Sequence, residues 1–143
     1  MTERIIEIVA ALIRDQAGRV LLVRKRSTAA FMQPGGKRDA GEDDATALAR
    51  ELDEELGCRI VVGSARPLGE FLAPSANEPG WTVHAAVYAV ETIGAIAPRA
   101  EIEEIAWVDP VLTELTLAPL TRDHVLPLAR RARARRISFP RSR

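Results

Sequence analysis

Apolar and polar positions divide the chain into short runs. Ile5 to Ile13 is mostly apolar, and Asp15-Gln16-Ala17-Gly18 supplies turn chemistry before a second apolar run, Val20 to Val23, so the pattern predicts a β-hairpin. Between Asp43 or Asp44 and Gly57 the period changes. Ala45, Leu48, Ala49, Leu52 and Leu56 form one stripe at 100° per residue, which predicts a helix capped by a short acid at its start and by glycine at its end. Arg59 to Val62 and Leu68 to Leu72 predict short strands, and residues 73–80, dense in loop formers, predict a loop. Trp81 to Val90 is apolar on both faces and predicts a central strand, Ile105 to Val108 a short one, and Leu120 to about Arg136 a final helix interrupted or started near Pro127.

At 143 residues, with 47% apolar and 28% charged positions, the chain has the size and composition of one globular domain. The N-terminal apolar run is broken by Glu7, is too short to span a bilayer and lacks the pattern of a secretory leader. An intracellular, cytoplasmic protein is therefore the expectation. Cys58 is the lone cysteine, so no internal disulfide framework is available. The zero net charge hides an asymmetry, because residues 130–143 carry seven arginines and no acid. This extension is expected to finish the last helix and then be disordered.

Chemistry concentrates in the predicted helix and the loop before it. Glu51, Glu54 and Glu55 fall within about a third of the helix circumference, beside the apolar stripe. Like charges at such spacing repel, and a hard divalent cation with oxygen ligands, such as Mg2+ or Mn2+, is their natural partner. Upstream, Pro34 restricts Gln33 to extended geometry, and Gly35-Gly36 lets backbone approach an ion or a phosphate closely.

These residues resemble a known signature, that of the Nudix hydrolases: G-x5-E-x7-R-E-U-x-E-E-x-G-U, with U a bulky apolar residue. Gly36, Glu42, Arg50, Glu51, Leu52, Glu54, Glu55 and Gly57 all match, and only the last position departs, carrying Cys58. Seven polar or glycine matches by accident, at usage of roughly 5–10% each, would be rarer than about one in a million. Buried cysteine behaves as a small hydrophobe, so the departure bears on packing rather than chemistry.

The resemblance implies an α/β Nudix fold, an α/β/α sandwich around a mixed β-sheet, over residues 1–129. It also implies Mg2+-dependent hydrolysis of a phosphoanhydride in a nucleoside diphosphate linked to another moiety, whether a nucleoside triphosphate or an ADP-ribose or nucleotide-sugar compound. Metal ligands would be Gly36, through its carbonyl, with Glu51, Glu54, Glu55 and, outside the box, Glu101, with Glu103 or Glu104 as substitutes. Glu51 would be the general base or hold a second ion, and Arg50 would orient a box carboxylate. Arg24, at the end of the second strand, with Phe31, Gln33, Gly35 and Lys37, would meet substrate, and a core role suits Phe31 at least as well. Lys25 and Arg26 share the Arg24 turn, which a solvated basic turn would explain equally. His84, without a second ligand at metal spacing, reads as structural, and Trp107 as core. The expected partner is a small-molecule nucleotide rather than a membrane or a nucleic acid, with the chain a monomer or homodimer. A Nudix-fold module that binds nucleotide without turnover is the alternative, and the arginine-rich end raises RNA processing as a third reading.

Overall fold

A computed structural model describes residues 4–131, and expectations for residues 132–143 lie outside the described residues. Four strands form a mixed sheet in the order β3 (Gly35–Lys37), β1 (Ile5–Leu12), β6 (Thr82–Ala89), β5 (Arg66–Pro74). β1 runs parallel to β6, and the other two pairings are antiparallel. β6, hydrogen-bonded on both sides, is central as its doubly apolar pattern requires.

The predicted hairpin is corrected. A tight turn does join the two runs, closed by Asp15 N–H to Arg19 O at 3.0 Å and Leu21 N–H to Ile13 O at 2.9 Å. Beyond it the strands part, since β2 (Val20–Lys25) pairs with β8 (Ile102–Val108) in a separate two-stranded sheet while β1 joins the mixed one. Long-range pairing outweighs the local turn here. β8 begins three residues before the expected Ile105, β4 is only Arg59–Ile60, and its partner β7 (Thr92–Ile93) had no sequence signal.

Strand alternation distributes β1 and β2 between two cores. Ala10, Leu12, Val20 and Leu22 pack with Leu120, Val125, Leu126 and Ala129 of the terminal helix, α2 (residues 119–131). Val9, Ala11, Leu21 and Val23 pack with Ala47, Leu48, Leu52 and Leu56 of α1 (Asp44–Leu56). Period-2 side chains thus deliver apolar groups to both faces, giving the α/β/α sandwich. α2 starts before the expected Leu120 and contains a wide turn, Thr121–Val125, where the Leu126 N–H reaches Thr121 O. Pro127 lies just beyond and has no N–H for the Asp123 carbonyl, so the widened turn accommodates it.

α1 matches its expected ends. The Asp43 carboxylate caps the Thr46 amide, and Gly57, at φ 73°, closes the helix through its N–H to Asp53 O. Its buried stripe is rotated from the expected one: Ala47, Leu48, Leu52, Glu55 and Leu56 face inward, while Ala45 and Ala49 are exposed. Alanine gives a weak hydrophobic signal and costs little to leave in water. Cys58 is fully buried, consistent with a packing role.

Leu52→Ala is expected to cost about 2–5 kcal/mol in urea unfolding, and Ala49→Ser less than about 0.5 kcal/mol, because only the first opens a cavity.

Candidate active site

The sandwich leaves a pocket of about 410 Å3 above the starts of β1 and β6. Glu51, Glu54 and Glu55 reach it from α1, Glu101 from the turn before β8, Lys25 from the end of β2, and Gln33, Gly35, Gly36 and Lys37 from β3 and its approach. Pro74, the last residue of β5, and Ser75 to Glu78 beyond it form its far wall. Eight of the predicted site residues therefore share one pocket.

The three glutamates sit in different surroundings. Glu55 is only 8% exposed, and among the described residues its carboxyl group has one hydrogen bond, from the Gly35 amide 3.2 Å away. Burial pushes its carboxyl up to about 8, partly offset by that amide and reinforced by the charge of Glu51. Glu51 is also raised by burial, against the pull of Arg50. Glu54 is exposed.

Two glycines make this closeness possible. A Cβ at Gly36 would lie 2.5–2.7 Å from the carboxylate atoms of Glu51, so the backbone rests directly against that side chain. At Gly35, with φ 144°, a Cβ would meet Val9 O at 2.2 Å. Any side chain there would force β3 off β1.

Arg50 does not line the pocket but gathers its acids. Nε and Nη2 each donate to Glu42 at 2.8 Å, Nη1 to Glu51 at 3.0 Å and to Glu54 at 3.3 Å, and Nη2 also to Lys37 O at 2.9 Å. Asp39 adds an ion pair at 3.2 Å. The bidentate contact with Arg50, helped by the Asp39 amide, pulls the Glu42 carboxyl down to about 2. Glu42 is thus committed to Arg50. The fork ties the loop after β3 to the helix and fixes Glu51 and Glu54 from the side opposite the pocket.

Two predicted substrate residues are placed elsewhere. Phe31 is 7% exposed and belongs to the core against α2. Arg24 donates to Glu104 at 3.0 and 3.1 Å and to Thr28 O at 2.8 Å, with its guanidinium 5.9 Å from the Phe31 ring centre. Lys25, its neighbour, enters the pocket instead, alongside Lys37. The alternation of β2 carried that signal, since Val23 and Lys25 are two apart and both line the pocket. Glu103 pairs with Arg26 and Glu104 with Arg24, leaving Glu101 as the acid of this turn that reaches the pocket. His84 lies outside the pocket, between Glu7 at 2.7 Å and Glu70 at 2.8 Å, and Trp107 packs against the α1-side core.

All potential ligands here are oxygens, the donor set of a hard cation. Among the described residues no three acids already form a finished metal cage. An ion here would complete its shell from water or phosphate, as Mg2+ commonly does. Glu55, a buried carboxyl that a cation would help to ionise, fits that requirement.

A family profile described as NUDIX domain matches residues 5–129, almost the whole described chain. The chain belongs to the NUDIX domain family. Among relatives of this Nudix chain, the 8-oxo-dGTP diphosphatase of Haemophilus influenzae is 43% identical over 61 residues, 40% of this chain and 45% of that protein. The chain thus spans under half of that relative, and 28% of an octanoyltransferase of Myxococcus xanthus that it also matches. The CTP pyrophosphohydrolase of Escherichia coli strain K12 is 30% identical over 112 residues, 75% of this chain and 78% of that protein. Among solved structures, the MutT NUDIX hydrolase of Burkholderia pseudomallei superposes with a TM-score of 0.76 at 26% identity, covering 88% of this chain and 98% of that one. Among the described residues, no helix is long and apolar enough to cross a membrane.

Glu55 sets a pH dependence for the metal-free protein. Its folded pKa lies above its ordinary value of 4.5, so the fold favours the neutral acid and stability falls as pH rises from about 4.5 towards about 8. In chelator, Glu55→Gln is expected to match wild type at pH 5 and to melt higher by roughly 2–5 °C at pH 8. A wild type that stays the more stable at pH 8 would contradict this.

Proposed function

We propose that this chain is a Mg2+-dependent hydrolase that cleaves a phosphoanhydride bond in a nucleoside diphosphate linked to another moiety, with nucleoside triphosphates as the first substrates to test. One observation carries the reading: Glu51, Glu54, Glu55 and Glu101 line the same pocket as Lys25 and Lys37. The names of the Haemophilus and Escherichia relatives, a diphosphatase and a pyrophosphohydrolase of nucleoside triphosphates, support it.

Glu54, Glu55, the Gly36 carbonyl and Glu101 would hold the ion, which supplies charge neutralisation at the phosphoryl oxygens. The lysines add positive charge for the phosphate chain. Glu51, whose carboxyl is raised by burial, is suited to accept a proton from the attacking water. Arg50 positions Glu51 and touches no substrate. Gln33, whose Oε1 accepts the Thr121 hydroxyl at 2.7 Å, presents a fixed amide at the pocket floor.

A second reading within the same chemistry has its own support. A recess of about 360 Å3 around Lys25, Arg26 and Thr28 shares Lys25, Asn77, Glu78 and Glu101 with the pocket, so space continues beyond the carboxylates. That room favours a larger group on the diphosphate, such as a sugar. A module that only binds nucleotide would have no need for four acids in one pocket.

A panel of nucleoside triphosphates and nucleotide sugars with Mg2+, scored for both products, tests the proposal. Wild type is expected to cleave at least one, Glu54→Gln to lose about 100-fold or more in kcat, and chelator to abolish turnover. No cleavage of any compound would end the enzyme reading. Arg50→Lys is expected to lower kcat by roughly 10- to 100-fold with KM nearly unchanged, since an ammonium cannot reproduce the fork. Equal turnover per folded molecule would make Arg50 purely structural.

A further inference from the structure

At the opposite end of the mixed sheet lies a separate recess of about 170 Å3 that the proposed reaction does not use. The active-site pocket takes Ile6, Ile8 and Val83 from the starts of β1 and β6, whereas this recess takes Leu12 and Ala89 from their ends. At about 3.3 Å per residue, some 13–20 Å of strand separates them.

Three arginines from three elements surround the recess. Arg14 follows β1, Arg66 begins β5, and Arg131 is at the end of the described part of α2. No aspartate or glutamate lines it, and Leu12, Leu68 and Leu128 contribute an apolar floor. Arg14 is anchored there by an Nη1 hydrogen bond to Ala129 O at 3.4 Å. Arg66 and Arg131, like Arg4, Arg59, Arg99 and Arg130, have no ion pair among the described residues, so no acid draws them away from the recess. Arg66 and Arg131 are exposed, so water screens their charges from one another, and a bound anion would find guanidinium donors from three elements around one apolar floor.

Size and chemistry define the anion. The recess is well below the roughly 300–1,000 Å3 of pockets that enclose a drug-sized ligand, so a whole nucleotide is too large for it. A phosphate or short polyphosphate group fits, and planar guanidinium forks pair with phosphate oxygens two at a time. The sequence continues from Arg131 with Arg133, Arg135, Arg136, Arg141 and Arg143, adding positive charge to the same end of the chain.

We propose that this recess is a second anion site, specific for a phosphate or short polyphosphate group, which on binding ties the terminal helix to β1 and β5. Its effect is on stability, because no residue of the recess lines the active-site pocket.

The test is thermal unfolding of the full chain in chelator, with millimolar sodium tripolyphosphate against sodium chloride at equal ionic strength. Wild type is expected to gain roughly 2–4 °C with tripolyphosphate. The double variant Arg66→Gln/Arg131→Gln is expected to keep the wild-type melting temperature without ligand and the wild-type turnover, and to lose the gain. Lys25→Gln, altered in the other pocket, should retain it. Amide NMR shifts on titrating wild type should centre on Leu68, Ala89 and Leu128. An equal gain in the double variant, or shifts confined to residues around Gly36 and Lys25, would overturn the proposal.

Discussion

Glu55 is a carboxylate taken almost out of water with one backbone amide, that of Gly35, for company. Burial of an unpaired charge is among the costliest arrangements a fold can keep, and here the side chain answers by holding its proton up to about pH 8. Glu51 and Glu54 crowd the same helix edge, so each carboxylate raises the cost of ionising the next. Arg50 relieves Glu51 and Glu54 from outside the pocket but does not reach Glu55. The local chain therefore leaves one carboxyl whose ionisation must be matched from the pocket itself, and much of the surrounding architecture serves to keep it there.

Backbone geometry supplies that confinement. β3 can lie against β1 only because Gly35 has no side chain, and it can touch Glu51 only because Gly36 has none. The first contact positions the amide that Glu55 accepts, and the second brings peptide oxygen and nitrogen to the edge of the acidic cluster. α1 in turn is held by Leu48, Leu52 and Leu56 against the alternate residues Val9 and Ala11 of β1. Carboxylate positions in the pocket thus depend on packing in the core on one side of the sheet. Arg50, joined to Glu42 and Lys37 O, locks the connecting loop to the same helix.

The helix and its acids were legible because their determinants are local. Asp43 caps within three residues, Gly57 terminates through its own left-handed conformation, and the spacing of Glu51, Glu54 and Glu55 fixes their common edge. Gly36, Glu42 and Arg50 were legible through the resemblance, which sets them at fixed offsets. What failed was decided by distant partners. The Asp15 to Gly18 turn is real, yet β1 and β2 enter different sheets, because β6 and β8 compete for their edges. Arg24 and Lys25 carry the same charge, and Glu104, eighty residues on, together with the Thr28 carbonyl withdraws Arg24 from the pocket. The choice of Glu101 over Glu103 and Glu104 follows from Arg24 and Arg26 in the same way. For Phe31, an aromatic near the box, the sequence left core and substrate roles open, and the packing of α2 over it decides for the core.

Mn2+ binding, followed by electron paramagnetic resonance on the nucleotide-free chain, tests the central claim most directly, since it reads the ion without requiring turnover. Wild type is expected to capture Mn2+, with Glu55→Gln or Glu54→Gln weakening capture by roughly 10-fold or more while the fold is retained, and with affinity increasing with pH as Glu55 ionises. Wild-type protein that is folded and leaves Mn2+ free in solution, or variants that bind it as well as wild type, would contradict it.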